Sequence, residues 1–167
     1  MKSLIAAALL HFAAPAVAED NAAVNSVYDR MSAAYATRDR TLLGDVFHPQ
    51  MVTSSSIADQ PPVIGGKALT ELIGAGLDRL KQGNRQAELS FRITHRGWAG
   101  ETAVDVGVLR MRFRGGDRDD RTVYSRYLST LTRRDDGLWV FLTDSPASAS
   151  VVDWDKATPF AGARFDP

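Results

Sequence analysis

The sequence contains no cysteine and only three histidines. Without cysteine the fold cannot depend on disulfides, and the few histidines lack the spacing of metal ligands, so no metal site is predicted. Net charge is also absent. The 20 basic and 20 acidic residues are mostly interleaved, which argues against nucleic acid as a partner. The chain has neither a glycine-rich phosphate loop nor a G-x-S-x-G nucleophile motif, and no cofactor is predicted.

The first residues have the features of an export signal. A positive start at Lys2 is followed by the apolar stretch Leu4–Phe12 and by a small-x-small sequence that ends at Ala18. We therefore predict a signal peptide over residues 1–18, cleavage after Ala18, and a mature protein in the periplasm or outside the cell, with no membrane anchor. The alternative is a buried N-terminal helix, which Pro15 would interrupt.

Helical periodicity predicts three amphipathic helices in the first half of the chain. The first covers Asp20–Thr37, the second is short and has Asp39 as its cap, and the third covers Lys67–Lys81. Gly74 and Gly76 lie inside the third helix, where each costs up to about 1 kcal/mol relative to alanine. They indicate that something approaches this helix closely, either a sheet or a ligand.

The rest of the chain predicts an antiparallel meander. A short strand, Met51–Ser56, precedes the third helix, and strict alternation of apolar residues begins at Ala87. The alternation changes phase beside Gly107, which is typical of a β-bulge. The stretch Thr122–Ser145 contains two apolar-polar runs on either side of an Asp-Gly step at Gly137, as in a tight hairpin turn.

These elements predict one α+β domain over residues 19–150, in which three N-terminal helices pack in a curved, mostly antiparallel β-sheet. Residues 151–167 form an irregular C-terminal tail in this interpretation. Because the tail contains Trp154, Phe160 and Phe165, we expect it to pack on its own domain or on a neighbour's.

Three segments carry a resemblance to a known family: FHPQMV entering the first strand, PPVIGGKAL entering the third helix, and the closing YLSTLTRRDDGLWVFLTD. In this order they resemble the NTF2-like superfamily, most of all its exported SnoaL-like and DUF4440 members, over Ala22 to Ser145. The resemblance implies an NTF2-like cone with an apolar pocket, and a homodimer formed through the outer face of the sheet. The superfamily includes ketosteroid isomerase, dehydratases, epoxide hydrolases, cyclases and members that only bind, so the fold alone does not decide the function.

The chain departs from the ketosteroid isomerase pattern at its catalytic positions. The general-base aspartate of that pattern falls in Ser54–Ser56, its first-helix tyrosine falls near Met31, and its second acid falls near Arg126. A hydroxyl cannot replace a carboxylate as a base near neutral pH. Ketosteroid isomerase activity is therefore not expected.

Arg126 lies at alternate strand positions with Tyr124 and Leu128. If that face of the strand lines the pocket, the guanidinium could hold a carboxylate or another anionic group by paired hydrogen bonds. The alternatives are a buried ion pair with Asp144 and an exposed position.

Other candidates come from the two preceding strands. His95 ends an apolar strand face, where it could act as an acid or base or be structural. Asp105 is the only carboxylate deep in a strand pattern, and it could be buried with a raised pKa or lie on an outer face. Trp139 and Phe141 are expected on the outer face or in a dimer contact, with their strand neighbours facing inward.

The sequence favours an exported domain that binds a small, mostly apolar molecule carrying a polar or anionic group. A second hypothesis is a cofactor-independent lyase, isomerase or hydrolase, and a third is a non-catalytic dimeric interaction module. The predicted ligand-binding residues are Tyr28, Tyr35, His95, Tyr124, Arg126 and Asp144, and the candidate catalytic bases are His95, Asp105 and Asp144.

Overall fold

A computed structural model describes residues 15–54, 61–160 and 164–165 of the chain. The helices are α1 (Pro15–Thr37), a 3-10 helix (Arg40–Leu43), α2 (Gly66–Gln82) and α3 (Val151–Lys156). The strands are β1 (Phe47–Thr53), β2 (Val63–Ile64), β3 (Arg85–Ala99), β4 (Thr102–Gly115), β5 (Arg121–Arg133), β6 (Trp139–Ser148) and β7 (Arg164–Phe165).

The strands form one sheet of seven in the order β2-β1-β6-β5-β4-β3-β7. Strands β3 to β6 are a meander of antiparallel neighbours, while β1 pairs with β6 in parallel. Helices α1 and α2 pack on the inner face of this curved sheet. The predicted α+β class and the mostly antiparallel sheet are confirmed.

The predicted order of three N-terminal helices is corrected by the structure. Among the described residues, only α1 and α2 are α-helices of several turns, because the second predicted helix is the single 3-10 turn Arg40–Leu43. Asp39 caps that turn as predicted, since its side chain accepts a hydrogen bond from the backbone N–H of Thr41. The first strand begins at Phe47, earlier than predicted, and residues 55–56 of the predicted strand lie outside the described residues.

Helix α1 buries the stripe that its sequence predicts. Val24, Val27, Tyr28 and Ala34 are fully buried, and they pack with the inner face of β3 and β6. Within the described residues the helix extends from Pro15, further toward the N-terminus than the predicted start at Asp20. Most of the predicted signal peptide lies outside the described residues. Among the described helices, none has the length and apolar character needed to cross a membrane.

Two β-bulges change which side chains face the interior. Opposite β4, the register of β3 shifts between Ile93 and His95, so Thr94 is the extra residue. Opposite β5, the register of β6 shifts between Phe141 and Thr143, so Leu142 is the extra residue. The bulge beside Gly107 is thus present, but it lies in the partner strand of β4 and not in β4 itself.

The C-terminal tail is not irregular as predicted. Ser150 and Asp153 form a capping box that starts α3, and β7 adds an edge strand to β3. Trp154 of α3 is buried on the outer face of the sheet, where the guanidinium carbons of Arg92 and Arg110 lie 4.2 and 4.5 Å from its ring centre. The tail therefore packs on its own domain, and it covers part of the outer face.

Candidate functional site

A cavity of about 290 Å³ lies between α1, α2 and the inner face of the sheet, and we call it the inner cavity. Its wall is predominantly aliphatic and aromatic. The lining residues are Met31, Tyr35, Phe47, Met51, Thr53, Leu69, Ile73, Leu89, Phe91, Leu109, Met111, Val123, Ser125, Tyr127, Ser129, Phe141, Asp144 and Pro146. Such a cavity suits a small apolar molecule, held by the few polar groups on its wall.

Asp144 is the only ionisable carboxyl among the described residues that line the inner cavity, and no basic side chain joins it there. The bulge at Leu142 turns Asp144 inward, because without the extra residue alternation from Phe141 would place Thr143 on the inner face instead. Ser129 lies directly opposite on β5, and its hydroxyl donates a 2.7 Å hydrogen bond to Oδ1 of Asp144.

Burial in this apolar wall raises the pKa of Asp144 above its ordinary value, while the hydrogen bonds from Ser129 and from the backbone N–H of Ser145 oppose the rise. The carboxyl can therefore hold a proton at a higher pH than an exposed aspartate does. Protonated, it donates a hydrogen bond to a carbonyl or ether oxygen, and ionised, it accepts one from a hydroxyl or binds a cation.

The raised pKa of Asp144 predicts how stability changes with pH. Between the unfolded value, about 3.9, and the higher folded value, the folded chain binds more protons than the unfolded chain, so stability falls as pH rises. Replacing Asp144 with asparagine is expected to remove this fall, and the variant should gain stability relative to wild type as pH increases from about 4. Urea unfolding of both proteins across this range measures it.

Asp153→Asn is a control for which the opposite dependence of stability on pH is expected. The hydrogen bonds from Arg126 and Ser150 lower the pKa of Asp153 to about 2, so its contribution is present at higher pH and is lost on acidification. If the difference in free energy of unfolding between wild type and Asp144→Asn does not change with pH, the raised pKa of Asp144 is contradicted.

A separate polar cluster is buried beneath α1, and it consists of Tyr28, Arg96 and Asp105. The Arg96 guanidinium donates two hydrogen bonds of 2.7 Å to the two carboxylate oxygens of Asp105, and the Tyr28 hydroxyl donates a third, also of 2.7 Å. Both charged side chains are almost fully buried, at 1% and 0% exposure. Oxygen atoms of Asn21 and Asn25 accept the remaining hydrogen bonds of Arg96.

Tyr28 of this cluster and the neighbouring Tyr127 are weaker acids than an exposed tyrosine. The pKa of Tyr28 and the pKa of Tyr127 are both raised well above the ordinary value. Burial is the largest cause for each, and the negative charge of Asp105 raises both further. The Tyr127 hydroxyl lies over Gly107, where a Cβ atom would come within 2.6 Å of it, so this position requires glycine. Burial also raises the pKa of Tyr35 to about 12. All three phenols stay protonated near neutral pH and can act as hydrogen-bond groups.

The structure brings together only two of the six predicted ligand-binding residues in the inner cavity, Tyr35 and Asp144. Tyr28 is in the core but holds Asp105 instead of lining the cavity. Tyr124 and Arg126 lie on the outer face, where Arg126 is exposed and pairs with Asp153. The expected pocket position of Arg126 and its alternative ion pair with Asp144 are therefore both wrong.

The reason for the error on β5 is the composition of its inner face. Ser125, Tyr127 and Ser129 point inward, and two serines do not look like a core pattern. They face inward because the cavity wall and hydrogen bonds accommodate them: Ser125 donates to the carbonyl oxygen of Ala147, as Ser129 does to Asp144. Hydrophobic alternation therefore assigned the strand faces the wrong way round.

His95 is exposed and lies outside the inner cavity, contrary to expectation. The bulge at Thr94 explains this, because the extra residue sends His95 outward and Arg96 inward. Asp105 is buried as one alternative proposed, but its oxygens are engaged by Arg96 and Tyr28. It supports the core and is not placed to act on a ligand.

Trp139 and Phe141 were expected on the outer face, and both are in the core. Phe141 lines the inner cavity, and the Trp139 ring meets the Trp98 ring edge-on with their centres 5.7 Å apart. Their place in a dimer contact is thereby excluded. In the part of the chain that the structure describes, no three histidine, aspartate or glutamate side chains lie together as a metal site would require.

The model of the SnoaL-like domain family matches residues 16–143 of the chain. No curated protein sequence matches the chain. Among solved structures, a conserved protein from Planctomyces limnophilus is 19% identical with a TM-score of 0.66, over 79% of this chain and 98% of its own.

Two further solved structures carry descriptions of the fold. An NTF2-like protein with a cystatin-like fold from Novosphingobium aromaticivorans is 15% identical with a TM-score of 0.66, over 84% of this chain and 90% of its own. A ketosteroid isomerase-like protein from Erwinia carotovora is 12% identical with a TM-score of 0.60, over 79% and 98%. At these identities the likeness establishes the fold alone.

Proposed function

Because the chain belongs to the SnoaL-like domain family, with an NTF2-like fold, we propose that it binds a small, mostly apolar molecule in the inner cavity through a hydrogen bond to Asp144. The observation that carries this proposal is the single carboxyl, supported by Ser129, on a predominantly apolar wall whose described residues include no basic group. The ligand's polar group is therefore neutral or cationic. An anionic group was expected because Arg126 was predicted to line the pocket. In the inner cavity such a group would face the carboxyl of Asp144 and no basic side chain among the described residues.

The test begins with the mature protein purified from the exported fraction of its native source. Native mass spectrometry, followed by solvent extraction, should identify a neutral or cationic apolar molecule at stoichiometric amounts. Its rebinding should weaken in Asp144→Asn by about tenfold or more, as expected for a hydrogen bond to a charged or buried acid. An anionic ligand, or unchanged rebinding by Asp144→Asn, would contradict the proposal.

A steric variant and its matched control locate the ligand. Val123 lines the inner cavity, so Val123→Phe should fill part of it and prevent rebinding. Thr122, the preceding residue, is exposed, and Thr122→Phe adds the same ring away from the cavity. If both variants rebind the ligand equally well, the ligand does not occupy the inner cavity.

A second candidate function is cofactor-independent proton transfer, as in a lyase or an isomerase. It is favoured by the position of Asp144, whose carboxylate could remove a proton from a carbon next to a carbonyl and return it elsewhere on the substrate. General acid-base groups contribute about 10²- to 10⁴-fold to a rate. Incubation of the extracted molecule in D₂O should then give deuterium incorporation with wild type that Asp144→Asn slows by this factor.

Export and dimerisation remain part of the proposal. N-terminal sequencing of the exported protein should begin at Glu19 if cleavage follows Ala18. For the homodimer, the exposed pair Val106 and Leu128 is the contact we propose, since the two residues are neighbours across β4 and β5 on the outer face. A monomeric mass at micromolar concentration would contradict the dimer.

A further inference from the structure

A second, larger cavity of about 620 Å³ lies beside the inner cavity, and we call it the outer pocket. It is formed by the second half of α2, the adjoining ends of β3 and β4, and the turn after β4. Tyr35, Ile73 and Met111 line both cavities and form the wall between them. The function proposed for the inner cavity does not use this space.

The glycine at position 76 is not required by the packing of the protein. A Cβ atom there would meet nothing nearer than the Nη2 atom of Arg79, at 3.9 Å. At Gly74, by contrast, a Cβ atom would come within 3.0 Å of the Arg40 side chain. Gly76 lines the outer pocket and leaves the surface of the helix bare there. Since glycine inside a helix costs up to about 1 kcal/mol, its place is consistent with a ligand lying against this surface.

The outer pocket is cationic. Arg79, Arg85 and Arg118 line it, and the only acidic residue on its wall in the described chain is Asp117. Arg85 is occupied, because it donates hydrogen bonds to the backbone carbonyl oxygens of Arg118 and Asp119 and so holds the turn in place. Within the described ranges, the side chains of Arg79 and Arg118 form no ion pair. Two guanidinium groups are therefore available to an anion.

Apolar side chains line the pocket between these arginines. Leu72 is 53% exposed, which is high for a leucine on a helix that packs against the core, and Leu80 and Phe113 extend the same surface. An inorganic anion would leave this apolar surface in contact with water. A molecule that combines an anionic group with an apolar body would satisfy both parts of the wall.

We propose that the outer pocket is a second binding site, for a small organic anion with an apolar body, such as a medium-chain carboxylate. Its anionic group binds Arg79 and Arg118, and its apolar part lies against Leu72 and the bare helix surface at Gly76. The inner cavity, which has an acid and no basic group, takes a different class of molecule. Either proposal can therefore fail without the other.

Isothermal titration of the mature protein with octanoate tests the site, with octanol as the uncharged probe of the same length. Octanoate should bind wild type about tenfold or more tightly than octanol, and Arg79→Gln/Arg118→Gln should remove that preference. Arg114→Gln/Arg133→Gln, which changes the net charge equally at exposed positions outside the pocket, should keep it. Gly76→Leu should prevent binding by filling the space above the helix.

Three results would overturn the proposal. The first is a failure of octanoate to bind wild type at millimolar concentration, the second is an equal loss of octanoate binding in the two double-arginine variants, and the third is a loss of octanoate binding in Val123→Phe. The last would place octanoate in the inner cavity. Circular dichroism of each variant establishes that it is folded. If Gly76→Leu does not fold, Arg79→Gln/Arg118→Gln still tests the site, because Arg79 is exposed and its replacement should not disturb the fold.

Discussion

Asp105→Ala is expected to lower the free energy of unfolding by about 3–5 kcal/mol. The substitution leaves the Arg96 guanidinium without its carboxylate in a site where its side chain is almost fully buried. It also deprives the Tyr28 hydroxyl of its acceptor. Removing one partner of a buried ion pair costs more than the pair contributes, since the remaining charge must stay desolvated or bring water into the core. Urea unfolding measures the change.

A double substitution separates the effect of the unpaired charge from the effect of lost packing. In Arg96→Met/Asp105→Leu both charges are replaced by apolar groups, and the variant should recover most of the lost stability. Tyr28→Phe removes one hydrogen bond but leaves the ion pair intact, so it should cost about 1–2 kcal/mol. If Asp105→Ala is no more destabilising than Tyr28→Phe, the cluster does not hold a desolvated charge.

Trp154→Ala is expected to cost about 3–5 kcal/mol, although Trp154 lies near the C-terminus on the outer face of the sheet. Trp154 is 3% exposed, Arg92 and Arg110 both stack near its ring, and Arg92 also donates a 2.6 Å hydrogen bond to the Trp154 carbonyl oxygen. Truncation removes the buried ring and both cation–π contacts, each worth about 0.5 kcal/mol or more. The loss of stability should appear as a lower urea midpoint with an unchanged slope.

The same helix provides a matched control for Trp154. Val152 is exposed two residues away, so Val152→Ala should change stability by no more than about 0.5 kcal/mol. Trp154→Phe keeps an aromatic ring beside the two arginines and should recover part of the loss. If Trp154→Ala resembles Val152→Ala, α3 contributes nothing to the fold.

The sequence predicted the helices of this fold better than the faces of its strands. The α1 stripe of Val24, Val27 and Tyr28 was confirmed, because a 3.6-residue period over many residues leaves little choice of buried face. On β5 the inner face carries Ser125 and Ser129, whose hydroxyls suit a cavity wall and not a close-packed core. Polar residues on the wall of a cavity therefore weaken the apolar-polar alternation on which the prediction of strand faces depends.

The candidate site was predicted in part. Asp144 and Tyr35 were selected from the sequence and line the inner cavity, while Ser129 and Arg96 were missed. Arg96 could not have been selected by alternation, because the bulge at Thr94 reverses the faces of all later positions in β3. The signal that could have found it was the buried carboxylate candidate Asp105, which requires a cationic partner on a neighbouring strand.

The bulge in β3 also determines what the loss of one residue from that strand would do. The hydroxyl of Thr94 donates to the carbonyl oxygen of Val106, so the extra residue is anchored across the ladder. Deleting Thr94 would place His95 directly after Ile93, restore regular pairing with β4, and leave Arg96 facing Asp105. A chain without a residue at position 94 would therefore keep the same side chains on the inner face of this strand, so the loss of one residue here does not reverse the strand's faces.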